Sequence, residues 1–274
     1  IIFSLILFTF YKTNLTYEIK NIVQGFNYLE KTKNYSSRVV FYKINIDGHR
    51  VYDYCLEGSK NFTLNEKQMR SECSSLKNDK KLFFFQGNSH TANFIPLATN
   101  SNFIENLYYI HKSEPFQIDN VEEINNILDY FNDVIFVSSI FNYKDYNNFL
   151  NFHKKIKKEI NILLFGPLPS ANKMDPLKCL IRNVDCYIDV KKDLSSRKIK
   201  QLTEDLENYK KKSSNIKIFY PYFELCSNQK NNKCLIYDSK IDLLTHRDGQ
   251  HLTMEGSTAL LKSFNKFLVD EYNY

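Results

Sequence analysis

The sequence predicts an α/β fold: a three-layer α/β/α sandwich built on a parallel sheet of about five strands. Three observations carry this. Short, mostly apolar runs recur along the chain, at Leu82–Phe85, Leu107–Ile110, Val134–Val137, Ile162–Phe165 and Ile216–Phe219. Segments with helical spacing stand between them. The chain has 274 residues, 43% hydrophobic and 25% charged, which suits one ordinary core. Short continuous apolar strands are what a sheet covered on both faces requires.

Taken in order, residues 1–10 form a short, almost wholly apolar run, Ile1 to Phe10. About 20 apolar residues are needed to span a bilayer, so the run is too short to cross alone. It reads as the trailing part of a transmembrane helix, or else as a buried strand or helix. Residues 11–37 form a connector with a weak helical pattern at Tyr17–Glu30. Residues 38–274 form the main domain. A hairpin opens it, with Val39–Tyr42 and Val51–Tyr52 on either side of Asp47-Gly48, a dipeptide that favours a tight hairpin turn. A short helix is expected around Glu66–Cys73.

The repeating units follow. Strand Leu82–Phe85 leads through Gln86–His90 to a helix from Thr91 to Thr99. Strand Leu107–Ile110 leads to a helix at Asn120–Tyr130, and strand Val134–Val137 to a helix at Tyr143–Ile160. Strand Ile162–Phe165 ends in the rigid loop Gly166-Pro167-Leu168-Pro169. A long helix over Leu194–Lys211 precedes strand Ile216–Phe219. The last helix runs from Met254 to Val269.

Two motifs carry chemistry. Gln86-Gly87-Asn88-Ser89-His90 joins a strand to a helix. Such a turn presents a serine hydroxyl at the carboxyl edge of a parallel sheet, with helix-start N–H groups facing a developing oxyanion. The bland alternative is that Ser89 simply caps the helix. Near the C-terminus stands Arg247-Asp248-Gly249-Gln250-His251-Leu252-Thr253. A carboxylate three residues before an imidazole can hold one ring nitrogen and leave the other to take a serine proton. Both motifs follow sheet strands in sequence and so fall on the same edge, where sites of open parallel sheets lie. His246 competes with His251 as base; spacing favours His251.

The pair of motifs resembles the SGNH hydrolase family, the GDSL-like esterases. The family's first block is Gly-Asp-Ser, matched here by Gly87-Asn88-Ser89 with Asn88 in place of Asp. Its last block, Asp-x-x-His, is matched by Asp248-Gly249-Gln250-His251. The His90 after the serine and Leu252-Thr253 after the histidine are similar to one branch, the extracytoplasmic SGNH domain fused behind membrane-bound acyltransferases that O-acetylate surface polysaccharides such as lipopolysaccharide. The resemblance spans roughly Val39 to Tyr274. It implies a flavodoxin-like sheet and a Ser89, His251, Asp248 triad. It also implies a membrane-anchored domain facing the periplasm or cell exterior, which favours the membrane reading of residues 1–10.

The function implied is an O-acyltransferase, most simply an O-acetyltransferase. It would take its acyl group from the upstream membrane domain and pass it through a serine acyl-enzyme to a cell-surface glycan. An acetyl-esterase acting on glycans uses the same triad. A reading of another class is a glycan-binding domain with a decayed site, favoured by Asn88 and by the lack of a second-block Gly after Leu107–Ile110. For the oxyanion hole the candidates are the Ser89 N–H, the Asn142 side chain and the N–H groups of Ser138 or Ser139. Phe141 stands where this branch carries an aromatic. The chemistry requires no cofactor or metal.

Six cysteines fall into three local pairs: Cys55 and Cys73, Cys179 and Cys186, Cys226 and Cys234. An even, paired count suits disulfides in an oxidising compartment, whereas zinc would require short C-x-x-C pairs or adjacent His ligands. The net charge of +6 comes from scattered Lys, read as solvated helix faces. No nucleic-acid motif accompanies it.

Overall fold

The structure is a computed structural model. It describes residues 81–111, 133–156, 160–170, 174–189, 194–227 and 233–274, with shorter pieces at 45–46, 49–50, 74–75, 115–116, 121 and 125. The expectations for residues 1–10, 11–37, Glu66–Cys73 and the Cys55/Cys73 pair lie outside the described residues. So does most of the helix expected at Asn120–Tyr130.

Among the described residues the main sheet has six strands. Five are parallel: β4 (Leu82–Gly87), β5 (Asn106–His111), β6 (Val134–Ser139), β7 (Asn161–Phe165) and β9 (Ile216–Phe219). The edge strand β3 (Ser74–Ser75) pairs antiparallel with β5. The order across the sheet is β3-β5-β4-β6-β7-β9. Counted in chain order, the five parallel strands therefore run 2-1-3-4-5, the flavodoxin-like order. The order reverses between β4 and β6, and in open parallel sheets ligand sites lie beyond the strands' carboxyl ends at such a point.

The aromatic run in β4 explains why this sheet needs two covering layers. Phe83, Phe84 and Phe85 are all fully buried. Side chains alternate across a strand, so consecutive residues must find cores on opposite faces. On one face Phe84 stacks on Tyr108 and meets Phe136, which packs against Phe152 of the helix Tyr143–Lys155. On the other face Phe85 meets Phe165, which contacts Phe264 of the helix Leu261–Tyr272. Each fully buried Phe contributes roughly 2–3 kcal/mol of apolar transfer.

Several elements differ from expectation. The first helix is two pieces, Ser89–Ala92 and Ile95–Thr99, the second with a proline in its first turn. Pro96 lacks an N–H, so the pattern restarts rather than continues. The last helix is likewise split into Met254–Thr258 and Leu261–Tyr272. The strand pair β1 (Asn45–Ile46) and β2 (His49–Arg50) is antiparallel; the expected turn at Asp47-Gly48 and the strands expected at Val39–Tyr42 and Val51–Tyr52 lie outside the described residues.

The sequence reading missed a second sheet, antiparallel and three-stranded, formed by β8 (Cys186–Asp189), β10 (Lys233–Asp238) and β11 (Leu243–Leu244) in the order β11-β10-β8. It also missed the helices Pro176–Arg182 and Pro221–Ser227. Two disulfides, Cys179–Cys186 and Cys226–Cys234, fasten this unit, each joining a short helix to a strand. They match two of the three expected pairs. Among the described residues no helix is long and apolar enough to cross a membrane.

Candidate active site

Ser89 is delivered by a turn with little room to spare. Gly87, at φ +158°, closes β4; a Cβ there would meet Thr91 Oγ1 at 2.1 Å. Only glycine fits so close an approach. Asn88 is the helix N-cap, its Oδ1 accepting from the His90 N–H at 3.0 Å. Ser89 is thus the first helical residue and not the cap, which displaces the bland capping reading. Its N–H belongs to the first turn, whose N–H groups have no intrahelical acceptor. The turn is fastened to β6: Thr91 Oγ1 and Ser139 Oγ are 2.8 Å apart, and Ser138 Oγ donates to the Gln86 carbonyl at 2.6 Å.

Asp248 and His251 lie in a loop between β11 and the helix Met254–Thr258. Backbone bonds pinch it shut, Arg247 N–H to His251 O at 2.9 Å and Thr253 N–H to Thr245 O at 3.0 Å. The Thr253 hydroxyl donates to the Leu244 carbonyl and accepts from the Gly256 N–H. Gly256 lets the helix start press on this loop, since a Cβ there would lie 2.0 Å from the Thr245 carbonyl oxygen. The Leu252 N–H donates to Asn93 Oδ1 at 3.3 Å, which ties the loop to the end of the Ser89 helix.

These constraints bring the three residues into line. Ser89 Oγ is 2.8 Å from His251 Nε2, across 162 residues of chain. His251 Nδ1 is 2.9 Å from both Asp248 carboxylate oxygens. With Asp248 ionised, Nδ1 holds the proton and donates it to the carboxylate, leaving the Nε2 lone pair to accept from the serine hydroxyl. Partial burial pushes the Asp248 carboxyl up. The hydrogen bonds from the His251 ring and from the Gln250 and His251 N–H groups outweigh this and hold it at about 2. Arg247 adds a cation, its Nε 3.6 Å from Asp248 Oδ2.

The other candidates take different places. His246 is fully buried, with Nδ1 2.9 Å from Thr245 Oγ1 and Nε2 3.2 Å from the Pro169 carbonyl oxygen. It pins the loop and has no bond to Ser89. Asn142 is the N-cap of the helix Tyr143–Lys155. Its Oδ1 accepts from the Lys144 and Asp145 N–H groups at 2.7 and 3.1 Å. Capping employs only that oxygen. The Ser139 N–H is taken by Thr91 Oγ1 at 3.2 Å, and those of Phe141 and Asn142 by Asp145 Oδ2. Of the backbone donors named from the sequence, Ser139 is therefore already committed. The fastening roles of Thr91, Asn93 and Ser138 escaped the sequence reading, since each partner is distant in the chain.

Fold and site define a class: serine-dependent acyl-group chemistry at the switch point of a flavodoxin-like sheet. The chain belongs to the family described as "SGNH domain (fused to AT3 domains)", which matches residues 54–266. Among solved structures it is similar to the C-terminal catalytic domain of Streptococcus pneumoniae peptidoglycan O-acetyltransferase A (OatA). The two share 13% identity at a TM-score of 0.44, over 71% of this chain and 95% of that one. No curated protein matches the chain.

Proposed function

We propose that this domain is a glycan O-acetyltransferase working through an acyl-enzyme on Ser89. The observation that carries the reading is the line from Ser89 Oγ through His251 to Asp248, at 2.8 and 2.9 Å. His251 Nε2 takes the Ser89 proton as Oγ attacks the acyl carbonyl. The oxyanion is met by the Ser89 N–H, with the Asn142 amide as side-chain donor. The tetrahedral species collapses, and the donor's leaving group departs with the proton held by His251. A sugar hydroxyl then gives its proton to His251 and attacks the acyl-enzyme, which returns Ser89 Oγ–H and releases the acylated glycan.

The family's fusion to AT3 domains supports an upstream membrane domain as the acyl source and a cell-surface glycan as acceptor. Two local disulfides support an extracytoplasmic setting. We extend the domain over residues 38–274, with 11–37 as connector and 1–10 as the end of a membrane segment. The test is acetyl transfer from p-nitrophenyl acetate to a polysaccharide acceptor, beside Ser89→Ala and His251→Ala. Acetylated glycan from the wild type alone is expected. Release of acetate at an undiminished rate by both variants would refute the serine assignment, whereas wild-type acetate release with no acetylated glycan would turn the reading to an esterase.

A further inference from the structure

Three rings lie parallel across the site. His90 faces Phe141 with centroids 3.9 Å apart and planes 6° apart. It is also stacked with His251, centroids 4.9 Å and planes 8° apart. This geometry is not incidental crowding: His90 is fixed at its own backbone, where its N–H bonds to Asn88 Oδ1, and Phe141 is fixed by its N–H on Asp145. The plate is therefore held from two separate elements, and the ring of His251 lies against it.

His90 does not compete as a base. The hydrogen bond to Ser89 Oγ comes from His251, and His90 Nδ1 is buried without a partner. Burial lowers its pKa to about 4, and the neighbouring His251 and Arg247 add to this; the Asp248 charge and a hydrogen bond to the Gln250 backbone oppose it. The ring thus presents an uncharged π face at neutral pH.

We propose that His90 is a positioning residue. Its ring, backed by Phe141, fixes the plane of His251 so that Nε2 meets Ser89 and Nδ1 meets Asp248, and it offers a π face to the imidazolium formed when His251 takes the serine proton. This deepens the triad reading and rests on it. A cation over an aromatic face gains energy only while the cation exists, so the gain appears in the transition state and not in substrate binding.

The test compares His90→Phe, which keeps a ring, with His90→Leu, which fills the space without one. The full chain is used with p-nitrophenyl acetate, and thermal unfolding checks each variant's fold. His90→Leu should lower kcat by about 2- to 30-fold with KM unchanged, the range a cation–π contact spans. His90→Phe should recover most of that loss. If Phe falls as far as Leu and KM rises in both, His90 contacts substrate through its nitrogens and the proposal is overturned. NMR of the His251 ring protons gives a reading independent of turnover. Their ring-current shifts should survive in His90→Phe and vanish in His90→Leu. Shifts identical in all three proteins would overturn the stack, while a wild-type activity indifferent to Ser89→Ala would instead overturn the triad reading.

Discussion

His251 can serve as a base only while its Nδ1 keeps a proton and its Nε2 keeps a lone pair. Asp248 enforces that division, since both its oxygens lie 2.9 Å from Nδ1 and its Oδ1 also accepts from the Gln250 and His251 N–H groups. Asp248→Asn would keep the shape and lose the charge, and its amide would favour the wrong tautomer. In the proposed reaction kcat should fall on the order of 10³- to 10⁴-fold with the fold intact, measured by ester hydrolysis and circular dichroism. Loss of less than about tenfold would show that Asp248 does not orient the base. This pair was legible in the sequence because spacing of three within one loop is a local fact. The stacking of His90 on Phe141 was not, because strands β4 and β6 bring those residues together only in the folded sheet.

At the scale of elements, the turn that carries Ser89 is a strand end, a glycine and a capped helix. The sequence shows the strand and the glycine directly; the cap, offered there only as an alternative role for Ser89, falls to Asn88. Asn88 takes the capping bond from the His90 N–H, and Ser89 is freed to face His251. An Asp at this position would accept the same bond, so Asn88 makes this cap with a neutral side chain. Asn88→Ala should cost about 1 kcal/mol in urea unfolding and slow ester hydrolysis; Asn88→Asp should leave both near wild type. An unstable Asp variant would contradict the capping account. The strand β10 went unpredicted although Cys234-Leu235-Ile236-Tyr237 is an apolar run. Its antiparallel partner β8 lies 44 residues upstream between the register pair Lys233 and Asp189, a pairing no local pattern reveals.

Across the whole molecule, the five parallel strands and their order put Ser89 beside the end of β6, while the second sheet carries the Asp248–His251 loop. The parallel sheet was readable from apolar runs, since strands buried on both faces have little choice of composition. Buried histidines make the assembled structure sensitive to acid. Burial holds His246 neutral, with its pKa lowered to about 4, and His90 likewise. In the unfolded chain each protonates near pH 6.5. Between those values unfolding takes up protons, so stability falls as pH drops through the window and is unaffected by these groups above it. For His246 alone the loss is about 3 kcal/mol by pH 4. Asp248, held at about 2, contributes stability above about pH 4 that is lost as pH falls further toward 2. Urea midpoints should be level above pH 7 and decline from pH 6.5 to 4. A level profile through that window would contradict the buried, neutral state of His246.

The central claim is that Ser89 carries the acyl group. It is tested most directly by a rapid acid quench of the protein with p-nitrophenyl acetate, followed by peptide mass mapping. The account predicts a single added acetyl on the peptide bearing Ser89, accumulating in wild type and absent from both Ser89→Ala and His251→Ala. Acetylation of lysines alone, or an adduct that persists in Ser89→Ala, would contradict it.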